Sequence, residues 1–277
     1  MDTLSHAPTA DEMSFVRELA IQAGEVVMSH YGTKYDVDDK DGQPVTVADR
    51  QSNELIVNAL QERFPDDSIL AEETPVTDQK WRTAERCWIV DPLDGTSDFV
   101  KGRVGFAVMI GLCVRGEPTL GVVNVPKAGR MFLGLLGEGA EEERDGERHV
   151  LKTSTRAETS QLRVICSIAH RDEALEKTLV ALDPEETLSV GSVGYKVGKI
   201  VANEADLYVA PTSHICLWDT CGPQAILHAA GGRFLDMDGK PLVYTGPSLK
   251  HGRGILATNG VSAQSVVSKI EGVWPAT

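Results

Sequence analysis

Apolar residues recur at helical spacing through residues 11–31, at Phe15, Leu19, Ala23, Val26, Val27 and Tyr31. That period predicts an amphipathic helix, with Gly32 as its stop. Residues 1–10 read as a leader. Residues 33–42 are polar, dense in Asp and Lys, and read as a loop or hairpin. Asp49 is a residue type that opens helices, and Ile56, Leu60 and Phe64 continue from it on one face until Pro65-Asp66-Asp67. Residues 68–71 read as a short strand that ends in Glu72-Glu73. Residues 87–90, Cys-Trp-Ile-Val, read as a buried strand. Asp91 closes that strand, and Pro92 cannot donate to a ladder, so pairing is expected to stop there.

Past residue 104 the period shortens to that of strands. Turns fall at residues 115–118 and 127–130, and residues 138–148 form a charged, solvated hairpin or loop. The rest alternates. Strands are expected at 162–167, 187–190, 207–210, 232–236 and 254–258, and helices at 172–182, 192–202, 219–230 and 261–270. Such alternation predicts a layered α/β fold. With 277 residues, two parts are expected, an N-terminal α+β half over 11–155 and a C-terminal α/β half over 156–277.

Charge narrows the function. A net charge of −14 disfavours nucleic-acid polymers and anionic membranes as partners. The longest apolar run, 105–114, is too short to span a bilayer, and the N-terminus lacks the pattern of a signal peptide. Five cysteines without a C-x-x-C pair read as reduced thiols of a cytoplasmic chain.

The chemistry concentrates where the second strand ends. Asp91 and Asp94 flank a tight turn, Gly95 permits close backbone approach, and Thr96-Ser97-Asp98 can begin a helix. Carboxylates gather hard cations, and a helix N-terminus offers N–H groups to an anion. Together they point to a metal-phosphate site. A capped turn is the plain alternative. An aspartyl phosphatase is a second one, but its acids stand two apart, whereas here they stand three apart across a proline. Glu72-Glu73 beside Asp91 and Asp94 would form a repulsive cluster of four carboxylates, which divalent cations relieve. Far along the chain Asp219, after Trp218, reads as a helix N-cap, with Pro223 in that helix's first turn.

Glu72-Glu73, Asp91-Pro92-Leu93-Asp94-Gly95-Thr96 and Trp218-Asp219, in that order, resemble the inositol monophosphatase superfamily. Residues 94–102, 164–170 and 218–221 look most like its bacterial 3′(2′),5′-bisphosphate nucleotidases. Departures stand at Tyr195, Asn203 and Cys221-Gly222-Pro223. The resemblance implies an alternating α-β-α-β-α sandwich and a lithium-sensitive phosphomonoesterase using two or three magnesium ions. It implies one metal on Glu72, Asp91 and the Leu93 carbonyl, another on Asp91, Asp94 and Asp219, and a weaker one near Glu72 and Asp49. It also implies that Thr96, paired with Asp49, activates a water, and that Gly95 and Thr96 cradle the phosphate. Ser192 and Lys196, at i and i+4, are expected on the substrate wall, Lys196 as a point charge for a second phosphate. Tyr195 and His170 are further candidates there. The substrate is a small phosphate ester, most simply adenosine 3′,5′-bisphosphate. Inositol 1-phosphate, fructose 1,6-bisphosphate and a non-catalytic metal and nucleotide sensor are the alternatives, and a homodimer is compatible with the sequence.

Overall fold

The computed structural model describes residues 7–40, 43–168 and 171–273. Thr9 caps α1 (Ala10–His30), its hydroxyl accepting from the Glu12 N–H while the Glu12 carboxylate accepts from the Thr9 N–H. Of the expected leader, residues 1–6 lie outside the described residues. The polar stretch after α1 contains a hairpin of β1 (Val37–Lys40) and β2 (Gln43–Thr46). Helix α2 (Val47–Arg63) begins two residues before Asp49. Thr46 is its cap, and Asp49 closes the capping box from the third helical position.

Strand β3 (Ser68–Ala71) runs parallel to β4 (Arg86–Asp94). Contrary to the expectation from Pro92, β4 does not end at Asp91. Its register against the next strand breaks between Asp91 and Asp94, and pairing resumes at Asp94. A bulge can absorb a proline because the extra residues stand out of the ladder. Helix α3 (Thr96–Val100) follows directly, and its cap is Gly95, whose φ of 92° lies in the left-handed region. Antiparallel strands β5 (Ala107–Val114), β6 (Glu117–Val125), β7 (Arg130–Leu135), β8 (Gly139–Arg144) and β9 (Glu147–Leu151) complete a seven-stranded sheet in chain order. The β8–β9 hairpin is less solvated than its charge suggests, because Glu142 is buried against Arg130.

The chain continues with β10 (Arg163–Ser167), α4 (Glu173–Leu182), β11 (Glu186–Val190) and α5 (Val193–Val201). Then come β12 (Leu207–Ala210), α6 (Leu217–Ala229), β13 (Arg233–Leu235), β14 (Ile255–Thr258) and α7 (Ala263–Ile270). The five strands from β10 to β14 lie in the order β11-β10-β12-β14-β13. Strand alternation sorts side chains between layers. Trp88 and Val90 face the core under α1 and α2, whereas Cys87 and Ile89 face the middle core. Leu207 and Val209 join the outer core of α4 and α7, whereas Tyr208 and Ala210 face the middle one. The result is five layers, helices α1 and α2, the large sheet, helices α5 and α6, the small sheet, and helices α4 and α7.

Three glycines paired across adjacent strands, Gly111, Gly121 and Gly134, let α6 seat deeply on the large sheet. A Cβ at Gly121 would stand 2.1 Å from the Gly222 carbonyl oxygen, and one at Gly134 2.4 Å from the Ile226 Cα. The first half of α6 is thereby held against β5 and β6, next to the strand that carries Asp91 and Asp94.

Candidate active site

Parallel pairing explains how two separate strands deliver acids to one place. Ala71 is in register with Val90, so Glu72 leaves β3 beside Asp91, which itself stays paired with Met109 in β4. The Glu72 N–H donates to the Val90 carbonyl at 3.2 Å and fixes that exit. Carboxylate oxygens of Asp91, Asp94 and Asp219 lie within 4.8 Å of one another. Glu72 belongs to the same electrostatic cluster and repels Asp91 and Asp219. Glu73 is not part of the cluster: its carboxylate turns to Lys40 at 3.0 Å, and Asp219 takes the fourth place.

Asp219 reaches the cluster from the third position of α6, not from its cap. Cys216 is the cap residue, and its N–H donates to Asp219 Oδ2 at 2.6 Å. Pro223 therefore lies inside the helix and not in its first turn. It has no N–H for the Asp219 carbonyl four residues back.

Burial and crowding govern these acids. Burial, then repulsion from Glu72, Asp94 and Asp219, holds Asp91 well above the usual carboxylate range. Burial and Asp94 raise Asp219 to about 7. Burial, with Asp219 and Glu73, raises Glu72 to about 8. Asp94 is raised by burial and partly relieved by Lys196, the Ser192 hydroxyl and the Gly194 N–H. Four oxygen-donor acids that resist joint ionisation are what hard divalent cations fit, since cation charge removes the repulsion. The donor set contains no nitrogen or sulfur, which favours magnesium or calcium over softer metals.

Beside the acids stands a hydrogen-bonded pair. The Thr96 hydroxyl lies 2.8 Å from Asp49 Oδ1 and 3.0 Å from the Leu93 carbonyl oxygen. Asp49 Oδ2 is held by the Thr46 N–H at 2.7 Å and the Thr46 hydroxyl at 2.6 Å. Burial raises the pKa of Asp49. The Leu93 N–H donates to Asp91 Oδ1 at 3.0 Å, so the turn expected from sequence is closed by its own acid.

Ser192 and Lys196, expected on the substrate wall, are both buried. Lys196 is only 3% exposed, with Nζ 3.2 Å from the Ser192 carbonyl oxygen and 4.8 Å above the Tyr208 ring. Burial lowers its pKa, opposed by Asp94. It is a countercharge behind the acids and does not reach an open surface. Ser192, buried at the cap of α5, donates to Asp94 Oδ2 at 2.6 Å and accepts from the Tyr195 N–H. Tyr195 carries Arg130 and Lys199 over its ring, so its aromatic surface is already engaged. His170 lies outside the described residues. Sequence reasoning missed Asn53, whose Nδ2 donates to Thr74 Oγ1 at 3.0 Å and braces the turn after Glu72. Its place one helical turn past Asp49, on the same face, was the available signal.

The sequence profile of the inositol monophosphatase family matches residues 10–274. The 3′(2′),5′-bisphosphate nucleotidase CysQ of Escherichia coli K12 is 36% identical over 235 residues, covering 83% of this chain and 92% of that protein. The human 3′(2′),5′-bisphosphate nucleotidase 1 is 30% identical over 255 residues, covering 77% and 78%. The solved Thermotoga maritima IMPase superposes with a TM-score of 0.81 at 26% identity, covering 95% of this chain and 98% of that one.

Proposed function

The chain belongs to the inositol monophosphatase family and is a phosphoric monoester hydrolase, and we propose that it hydrolyses the 3′-phosphate of adenosine 3′,5′-bisphosphate with magnesium. The observation that carries the metal-assisted part is the convergence of Asp91, Asp94 and Asp219 within 4.8 Å. The nucleotide part rests on the two nucleotidases that are 36% and 30% identical. Glu72, Asp91, the Leu93 carbonyl, Asp94 and Asp219 are the groups that would hold two or three magnesium ions. When bound, these supply the positive charge that neutralises the phosphoryl oxygens and lowers the pKa of water.

The chain's own residues do the rest. Thr96 has one proton to donate, and the Asp49 carboxylate is a stronger acceptor than the Leu93 carbonyl. With that proton committed, a Thr96 lone pair is free to accept from an attacking water. As the water attacks, its proton passes to Thr96 Oγ1, and the Thr96 proton passes to Asp49 Oδ1. Thr46 keeps Asp49 in place through both bonds to Oδ2. Ser192 and the Gly194 N–H fix Asp94 from the start of α5, which assigns Ser192 to positioning a ligand. The N–H groups of Gly95 and Thr96 are assigned to the phosphate.

Phosphate release measured on a panel decides the substrate. Adenosine 3′,5′-bisphosphate should give the highest kcat/KM, and a chelator should abolish turnover until magnesium is restored. Higher efficiency on inositol 1-phosphate or fructose 1,6-bisphosphate would overturn the nucleotide assignment while leaving the metal site intact.

A further inference from the structure

A bisphosphate leaves one problem unsolved. The acid cluster and its cations account for the phosphate that is cleaved, but the other phosphate needs its own positive charge in a chain of net charge −14. Lys196 is buried beneath the cluster. Lys40, at the rim, is already committed to the Glu72 carbonyl at 2.8 Å and to Glu73 at 3.0 Å.

Lys250 is differently placed. Segment 249–251 lies antiparallel to segment 215–217, just ahead of Asp219. The Leu217 N–H donates to the Leu249 carbonyl at 2.9 Å, and the His251 N–H donates to the Ile215 carbonyl at 2.8 Å. Cys216 and Lys250 are thus directly opposed without a hydrogen bond between them, the pairing in which facing side chains stand closest. Cys216 is the residue whose N–H holds Asp219. The backbone of Lys250 is pinned further by Ser248, whose hydroxyl accepts from the Lys250 N–H at 2.9 Å and donates to the Lys250 carbonyl at 3.0 Å. The side chain itself is exposed, and its ammonium makes no hydrogen bond or ion pair among the described residues. A fixed backbone with an unengaged cation, beside the helix that delivers Asp219, is a seat for an anionic group held next to the cluster.

We infer that Lys250 determines specificity by holding the second, uncleaved phosphate of a bisphosphate substrate. This inference rests on the phosphatase site proposed above and specifies one of its substrate contacts. Lysine suits the role because its ammonium binds phosphate as a point charge from a flexible stem.

The test compares two substrates that differ only in the second phosphate, adenosine 3′,5′-bisphosphate and adenosine 3′-monophosphate, on the full chain with magnesium. Lys250→Ala should raise KM for the bisphosphate about five- to tenfold, the range for losing one solvent-accessible charge-assisted contact. It should leave kcat, and both constants for the monophosphate, unchanged. Lys250→Arg should restore the bisphosphate KM, because the charge returns. An equal change for both substrates, or no change for either, overturns the inference. Failure of the nucleotidase reading is visible earlier, as absence of turnover of both nucleotides by the unaltered chain. In that case the same variants are compared on fructose 1,6-bisphosphate and fructose 1-phosphate, and an unchanged ratio of KM values there overturns the inference as well.

Discussion

Asp206 and Asp91 are both buried almost completely, and their surroundings push them in opposite directions. Asp206, 0% exposed, lies 2.9 Å from both Arg163 Nε and Arg163 Nη2 and accepts from the Arg163 N–H and the Ser154 hydroxyl. Burial alone would raise its pKa, yet those partners hold it below the usual range. Asp91, 1% exposed, has other carboxyl groups as its main neighbours and is held well above that range. The same distinction separates Arg130, braced by Glu142 and Glu204, from the acids around Asp91. A buried charge with its partner supplied by the fold reads as architecture. A buried cluster whose partner the fold withholds reads as a site for a cation.

Substituting each aspartate separates the two roles most sharply. Asp91→Asn should lower turnover by about three orders of magnitude or more, because metal ligation supplies several kcal/mol of transition-state stabilisation. In chelator it should unfold no more easily than the unaltered chain, since a neutral amide replaces a buried carboxyl that resists ionisation. Asp206→Asn should do the reverse, costing about 3 kcal/mol of stability while retaining turnover per folded molecule. Phosphate release and denaturant unfolding on both variants check the pair. Comparable loss of activity and stability in both would erase the distinction.

Thr96→Ala tests whether the pair with Asp49 acts in chemistry. It should lower kcat by about a hundredfold, the range for one positioned acid or base, with little change in KM. Steady-state kinetics on adenosine 3′,5′-bisphosphate measure the split, and a rise in KM at constant kcat would instead make Thr96 a binding residue.

A smaller effect appears in the pH dependence of stability without metal. Glu72 at about 8 and Asp219 at about 7 exceed the unfolded carboxyl value of about 4. The folded state then binds more protons than the unfolded one, so their contribution is full below about pH 4 and is lost as pH rises through 7 to 8. His251, buried and lowered to about 4, acts oppositely, its contribution being lost as pH falls from about 6.5. The clean window is therefore about pH 6.5 to 8. In chelator, Tm should fall across it by a few degrees, and magnesium should flatten the slope. A Tm that is level in chelator would contradict the crowding of the acids.

Thr46→Ala marks the low end of the series. Removing the cap of α2 should cost about 1 kcal/mol in thermal unfolding. It should also lower kcat modestly, because Asp49 Oδ2 loses the hydroxyl that anchors it. Unchanged kcat would show that the Thr46 N–H alone suffices.

Local chemistry made much of this readable in advance. Helical period, strand-like runs and turn residues marked the elements, and their alternation gave a layered α/β fold, whereas the sandwich was implied only by the family resemblance. The Asp91–Thr96 turn was legible because its bonds, Leu93 N–H to Asp91 and Thr96 to the Leu93 carbonyl, join near neighbours. Glu72 was legible as a strand end, and only the parallel register set it beside Asp91. The burial of Lys196 and Ser192 was not legible. Helical spacing gave them a common face, but which layer that face meets depends on how α5 packs between the two sheets. Asp219 looked like a cap because the cap that displaced it, Cys216, is a residue type seldom used there. What sequence determined here were interactions within a few residues. Tertiary structure alone decided where the charges went, because burial and Coulomb coupling depend on distances in space, which a chain closes only when its layers pack.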